Sequence, residues 1–284
     1  MPRMEYRERR PQPPLSSFVE CFWALESDVP SPQPERILPD GCVELILNFG
    51  AQFSQHDDDE QRLQPRSFVV GQMTGPILIS PTGPVQLLGV RFHPGGTLPF
   101  LRVPLHEITD QVVDLGGLSS KLERELLSVT SQWSLLSEKM NAVEAFLTNQ
   151  VLSTKEKSSL TMPAARIVET GGLVSVDQLA SDAGISSRQL ERRFLREVGL
   201  NPKLLGRIIR FQQVFRAVAQ CNSAWASVAI ECGYYDQAHL IRDFNQFARQ
   251  NTSGAVLKSE CVYGVVHTQD KEVGFLQYEF RVLE

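Results

Sequence analysis

Arg188, Gln189, Glu191, Arg192, Arg193 and Arg196 crowd into one short segment, and a sparser set follows at Gln237, His239 and Arg242. These are the residue types that read nucleic-acid edges. A guanidinium presents two parallel donors that match O6 and N7 of guanine, a carboxamide matches N6 and N7 of adenine, and a carboxylate accepts from the amino group of cytosine. Arg188 and Arg192, with Arg242 in the second set, are the leading candidates for base contacts. Gln237 suits adenine, and His239 suits a base edge or a phosphate. Arg193 and Arg196, with Lys203 and Arg207 beyond them, suit phosphate oxygens, which position a protein without specifying a sequence. Ser187 and Gln189 stand at the head of the first set and are counted with it. Glu191 is read either as an acceptor for cytosine or as the partner of Arg188 or Arg192 on its own helix. The competing reading for every outward arginine is a solvated helix face.

Such side chains need rigid elements to aim them. Before the first set, Val176, Leu179, Ala180 and Ala183 recur at helical spacing, with Ser175 placed to cap that helix. Ala180 is small where two helices must cross, and Gly184 permits the left-handed backbone that reverses the chain. Ser186 or Ser187 then caps a second helix whose Leu190 and Phe194 point inward. The scheme repeats with Val228, Ala229, Gly233, Asp236 as cap, and Leu240 and Phe244 inward, leaving Gln237, His239, Ile241 and Arg242 outward. Between the two helix-turn-helix units, Pro202 suits the first turn of a helix. A helix over 202–219 would run about five turns, roughly 27 Å. That length sets two reading helices near the ~34 Å repeat of B-form DNA, so one chain would cover about 20 base pairs.

Charge supports this placement. The net charge is −5, but from Arg188 to Arg216 eight Lys/Arg face only two acids. A local basic stripe is the footprint of phosphate contact. Fifteen of the 17 prolines fall at or before Pro104, where short apolar runs at 42–49, 67–70, 76–79 and 85–92 are punctuated by Gly and Pro. They predict strands of a β-rich region. The acidic run His56-Asp57-Asp58-Asp59-Glu60 reads as a solvated loop tip. From about Gly116 the period becomes helical, with Leu118, Leu122, Leu126 and Leu127, then Met140, Val143, Phe146 and Leu147. The segment 153–159 reads as a linker, and 261–284 as a hairpin or strand tail.

Together the residues 179–194, Gly199-Leu200-Asn201-Pro202 and 228–244 resemble the DNA-binding domain of the AraC/XylS family of bacterial transcription regulators. Leu38-Pro39-Asp40-Gly41 and the run from Leu88 to Gly96 resemble an uncharacterised β-rich domain fused to such regulators. The expected fold is therefore α+β and multidomain. It has a β-rich sensor or dimerisation domain at 11–115, a helical linker at 116–160, an all-α domain with two helix-turn-helix units at 161–256, and a tail at 257–284. The resemblance implies double-stranded DNA and RNA polymerase as partners, with a small-molecule effector and a homodimer as further candidates. Residues 249–254 depart from the Gly-x-Ser/Thr-Pro turn of the family, so two alternatives stand: both units read bases, or the first alone.

Other chemistry is weakly supported. The five cysteines are scattered without a C-x-x-C pair, which fits reduced thiols in the cytoplasm. Residues 1–14 lack a signal-peptide core, and no apolar run approaches the ~20 residues that span a bilayer. His56, His93 and His106 lack ligand spacing for a metal, and Cys21 and Cys42 lack basic neighbours that would make a thiol sensor. No catalytic residue, cofactor or metal is expected.

Overall fold

The computed structural model of the chain describes residues 5–29, 34–57, 60–154, 160–220 and 225–248, with two short strands at 262–264 and 276–278. The first region is built of β1 (Glu5–Arg9), β2 (Val19–Ser27), β3 (Glu35–Ile37), β4 (Val43–Asn48), β5 (Phe53–Asp57), β6 (Glu60–Leu63), β7 (Ser67–Val70), β8 (Ile77–Pro81), β9 (Val85–Phe92) and β10 (Val112–Asp114). The late strands are β11 (Val262–Gly264) and β12 (Leu276–Tyr278). They make two sheets, ordered β1-β2-β9-β4-β7-β10 and β12-β11-β3-β8-β5-β6. Pairing is antiparallel except between β11 and β3, which run parallel. The β11–β12 pair agrees with the hairpin expected in the tail.

Successive side chains of the first sheet leave on opposite faces. Phe22, Ala24, Leu45, Leu47, Leu88 and Val90 go to one face, where α1 (Leu115–Ser131) and α2 (Leu136–Ser153) cover them with Leu122, Leu126, Met140, Val143 and Leu147. Cys21, Trp23, Leu25, Ile46 and Leu87 go to the other, where they meet Phe53 and Ile79 of the second sheet. Both faces of β4 and β9 are covered, so these strands read in the sequence as continuous apolar runs. Of the expected loop tip at 56–60, His56, Asp57 and Glu60 belong to strands, and residues 58 and 59 lie outside the described residues. His56 and Asp57 of β5 pair with Gln61 and Glu60 of β6, and His56 Nε2 lies 2.8 Å from Ser80 Oγ. Charged residues on an outer hairpin need only alternate strand faces, which composition does not disclose.

Asp114 ends the strands and starts the helices, its carboxylate accepting from the Gly117 amide at 3.0 Å. Beyond α2 come α3 (Thr161–Glu169), α4 (Val176–Asp182), α5 (Ser187–Glu197), α6 (Pro202–Gln220), α7 (Trp225–Glu231) and α8 (Gln237–Ala248). Their apolar faces form one cluster, with Leu205, Ile208, Phe211 and Phe215 of α6 between Leu179, Leu190 and Phe194 on one side and Val228, Leu240 and Phe244 on the other. Phe211 sits at its hub, with ring centroids 5.0 Å from Phe215, 5.3 Å from Phe247 and 5.5 Å from Phe244. Among the described residues, no helix is long and apolar enough to cross a membrane. The departure at 249–254 and most of the linker at 153–159 lie outside the described residues.

Candidate DNA-reading face and the cavity behind it

Local sequence fixes both helix-turn-helix units. The Ser175 hydroxyl accepts from the Gln178 amide at 3.1 Å and caps α4. Ser186, not Ser187, caps α5, accepting from the Gln189 amide at 3.3 Å while Gln189 Oε1 accepts from the Ser186 amide at 3.0 Å. This reciprocal capping box satisfies two otherwise orphaned donors. Asp236 caps α8 by accepting from the His239 amide at 2.7 Å. Gly184 and Gly233 turn the two units at φ of 63° and 75°, the left-handed region that a side chain disfavours. Asn201 caps the central helix through the Leu204 amide at 2.8 Å, with Pro202 in its first turn.

The exposed face of α5 carries Arg188, Glu191, Arg192, Arg193 and Arg196. Glu191 makes no ion pair with Arg188 or Arg192, so those two guanidinia keep their donors toward solvent. Ser187 and Gln189 are engaged inside the protein: the Ser187 hydroxyl donates to Asp177 at 2.7 Å, and Gln189 completes the capping box. In the second unit Gln237 and Arg242 are exposed, whereas the half-buried His239 ring meets Tyr234 edge-on at 5.1 Å. Tyr235, 87% exposed just before the cap of α8, is not singled out by the sequence; two adjacent tyrosines after a glycine turn do not disclose which of them is buried.

The basic stripe divides. Arg207, expected at a phosphate, instead braces α6 to α8. Its Nη2 lies 2.6 Å from Asp243 Oδ1, its Nε donates to the same oxygen at 3.2 Å, and its guanidinium lies 5.2 Å from the Phe247 ring centre. Arg210 donates to the Gly172 carbonyl at 2.5 Å and lies over Tyr234. The outward basic charge is therefore concentrated on α5 and at Lys203 and Arg242.

Behind this face lies a cavity of about 120 Å³ between the two sheets. Trp23, Phe53 and Phe68 give it aromatic walls, and Glu35, Asp40, Glu44 and Arg91 give it charge. Gly89 is directly opposite Trp23 in the β2–β9 register, and a Cβ there would overlap the indole, so glycine is what lets the ring lie against the strand. Arg91 Nη2 is 2.6 Å from Glu44 Oε1, and Arg91 Nε is 3.4 Å from Asp40 Oδ2. Burial opposes the charge on Arg91, but Glu44 and Asp40 outweigh it and raise its pKa. Burial likewise pushes the thiols of Cys21 and Cys42 up, so neither has the thiolate character of a sensor. Among the described residues, no group of three His, Cys, Asp or Glu is placed to hold a metal ion.

One wall of the cavity belongs also to the helical region. Leu38 lines the cavity and is a member of the helical core. Next to it, the Pro39 carbonyl accepts from Gln212 Nε2 of α6 at 2.5 Å. Gly41, at φ 84°, approaches Leu205 and Ile209 of α6, and its carbonyl accepts from Gln72 Nε2 at 2.7 Å. Thr109 donates to the Gly199 carbonyl just before α6 at 2.8 Å. The loop 38–41 thus joins the cavity to the helix on which both units are mounted.

Two capped helix-turn-helix units sharing one central helix, with outward arginines on the second helix of each, define a DNA-binding protein. Residues 179–253 match a family described as a helix-turn-helix domain, and residues 7–114 match a domain of unknown function, DUF6597. The chain thus carries a domain of this helix-turn-helix family behind the β-rich domain. No curated protein matches it. Among solved structures, ToxT from Vibrio cholerae is 5% identical, covering 86% of this chain and 95% of its own, with a TM-score of 0.43. ToxT with an unsaturated fatty acid bound is 9% identical, covering 81% and 92%, with a TM-score of 0.42. The AraC-like transcriptional activator CuxR is 12% identical, covering 76% and 87%, with a TM-score of 0.26.

Proposed function

We propose that the chain reads two adjacent major grooves through α5 and α8, and that a small molecule in the cavity between the sheets alters this reading. The observation that carries it is the pair of capped units built around α6, a 19-residue helix roughly 28 Å long. Arg188 and Arg192 contact bases in the first groove, and Gln237 and Arg242 in the second. Arg193, Arg196 and Lys203 hold phosphates. Ser187, Gln189 and His239, which have partners within the protein, set the pitch of the two helices. The protein works in the cytoplasm by binding, without catalysis, and RNA polymerase is the partner that its regulator class implies.

Two features support an effector over a β-domain that only dimerises: a cavity of ring size and a loop that reaches from it to α6. A ligand that moves Leu38 or Asp40 bears on Leu205 and Gln212, and so on the spacing of the two reading helices. The test is selection of sites from random DNA, followed by affinity for the winner at two salt concentrations. Two enriched blocks 10 to 11 base pairs apart are expected. One block assigns the reading to α5 alone. No enrichment, with binding that only fades with salt, refutes sequence-specific reading.

A further inference from the structure

The cavity holds three carboxylates, Glu35, Asp40 and Glu44, against one guanidinium, Arg91. Two of the three are accounted for. Glu44 accepts from Arg91 and from the Trp23 indole nitrogen at 3.2 Å. Asp40 lies within ion-pair distance of Arg91, and its Oδ1 accepts from the Cys42 amide at 2.9 Å. Glu35 is different. It is half-buried on β3 beside the cavity and has no hydrogen bond or ion pair among the described residues. Burial raises its pKa. A carboxylate kept in a largely apolar cleft without a partner is costly unless something supplies the missing charge.

The other walls narrow the choice. Trp23, Phe53 and Phe68 line it, and aromatic rings attract cations through the negative side of their quadrupole. At about 120 Å³ the space compares with the benzene-sized cavities of about 150 Å³ known in protein cores. A carboxylate ligand would meet an excess of negative charge, because Arg91 already faces two acids.

We infer that the cavity binds a small organic cation, an amine on a single ring or an equally short apolar body, with Glu35 as its counter-charge and the aromatic side chains around it. This rests on the reading of the cavity as the effector site and names the chemistry of that effector.

Benzylamine, benzyl alcohol and benzoate share one ring and differ in charge, so calorimetric titration of the full chain with each reads the preference directly. Benzylamine is expected to bind at least about tenfold more tightly than benzyl alcohol, and benzoate more weakly than either. In Glu35→Gln, benzylamine should fall to the level of the alcohol while the alcohol itself is unchanged, which also shows that the variant is folded. The wild-type ranking decides the matter alone if the variant does not fold. Benzoate binding best, alcohol matching amine, an amine preference that survives Glu35→Gln, or no binding by any of the three overturns the assignment. DNA affinity measured with each ligand separates the two readings. Selective benzylamine binding that leaves DNA affinity unchanged removes the effector role and keeps the cation site. A shift in DNA affinity by the alcohol or benzoate, without amine preference, does the reverse.

Discussion

Replacing Arg207 with methionine distinguishes a groove contact from an internal brace. Asp243 is 2% exposed and Arg207 26%, and one carboxylate oxygen takes both guanidinium donors. Removing the arginine leaves that carboxylate buried without a cation. Breaking such a pair costs ~3–5 kcal/mol. The partial exposure of Arg207 lets water reach the vacated side, which favours the lower end. For a helical domain of this size, ~3 kcal/mol corresponds to about 12 °C or more in melting temperature. Asp243→Leu added to Arg207→Met should recover most of the loss, since apolar replacement of a whole buried pair is often neutral. The coupling in this double-mutant cycle should be ~2 kcal/mol or more. Thermal or urea unfolding monitored by circular dichroism gives each value. The same variants titrated with DNA at several salt concentrations complete the test. A lost phosphate contact lowers the salt slope by about one, whereas a brace leaves it unchanged in protein that is folded. A cost below ~1 kcal/mol together with a reduced slope would sink the brace and restore the groove role.

Arg192→Ala should cost ~1–3 kcal/mol of DNA affinity and relax preference at a single position of the selected site; an equal loss on every sequence would show that it touches only phosphate. Gly233→Ala should destabilise the fold more than Gly184→Ala: both need a left-handed backbone, but a Cβ at Gly233 overlaps Leu173, while nothing lies within 4 Å of one at Gly184. Equal melting temperatures for those two variants would contradict the packing at the second turn. Because burial raises the pKa of Glu35, the folded state keeps its proton to higher pH than the unfolded chain. Stability therefore declines as pH rises from the ordinary carboxylate value through the folded value, and stays lower above it. Glu35→Gln should erase that decline and raise the melting temperature at pH 7, but not in acid; superimposable curves for variant and wild type would refute the unpaired carboxylate.

The two helix-turn-helix units were legible in the sequence because their determinants are local. Caps, left-handed glycines and helical apolar spacing all act within four residues, and Ser175, Gly184, Asp236 and Pro202 serve as their positions suggest. Ser186 over Ser187 as the cap needed only the reach to Gln189. The role of Arg207 was not legible, since Asp243 lies 36 residues away and only packing of α6 on α8 brings them together. β1 was hidden for another reason: Glu5–Arg9 is almost wholly charged, and strand identity there comes from pairing with β2. The cavity draws on several strands and a loop, so no window of sequence contains it. Glu35 in particular reads as an ordinary surface acid until its sheet packs on the first.

Leu38 is a joint possession of two interiors. A helical fragment cut away at the linker between α2 and α3 would leave behind the isobutyl group that fills part of its own core, along with the carbonyl that satisfies Gln212. Such a fragment starts life with a hole and an orphaned amide. Grafting these helices onto a different sensor would meet the same difficulty unless the graft carried the loop 38–41 with it. The chain is thus less a pair of interchangeable modules than a hinge with its pin included, and recombination that swaps one leaf must also supply the pin.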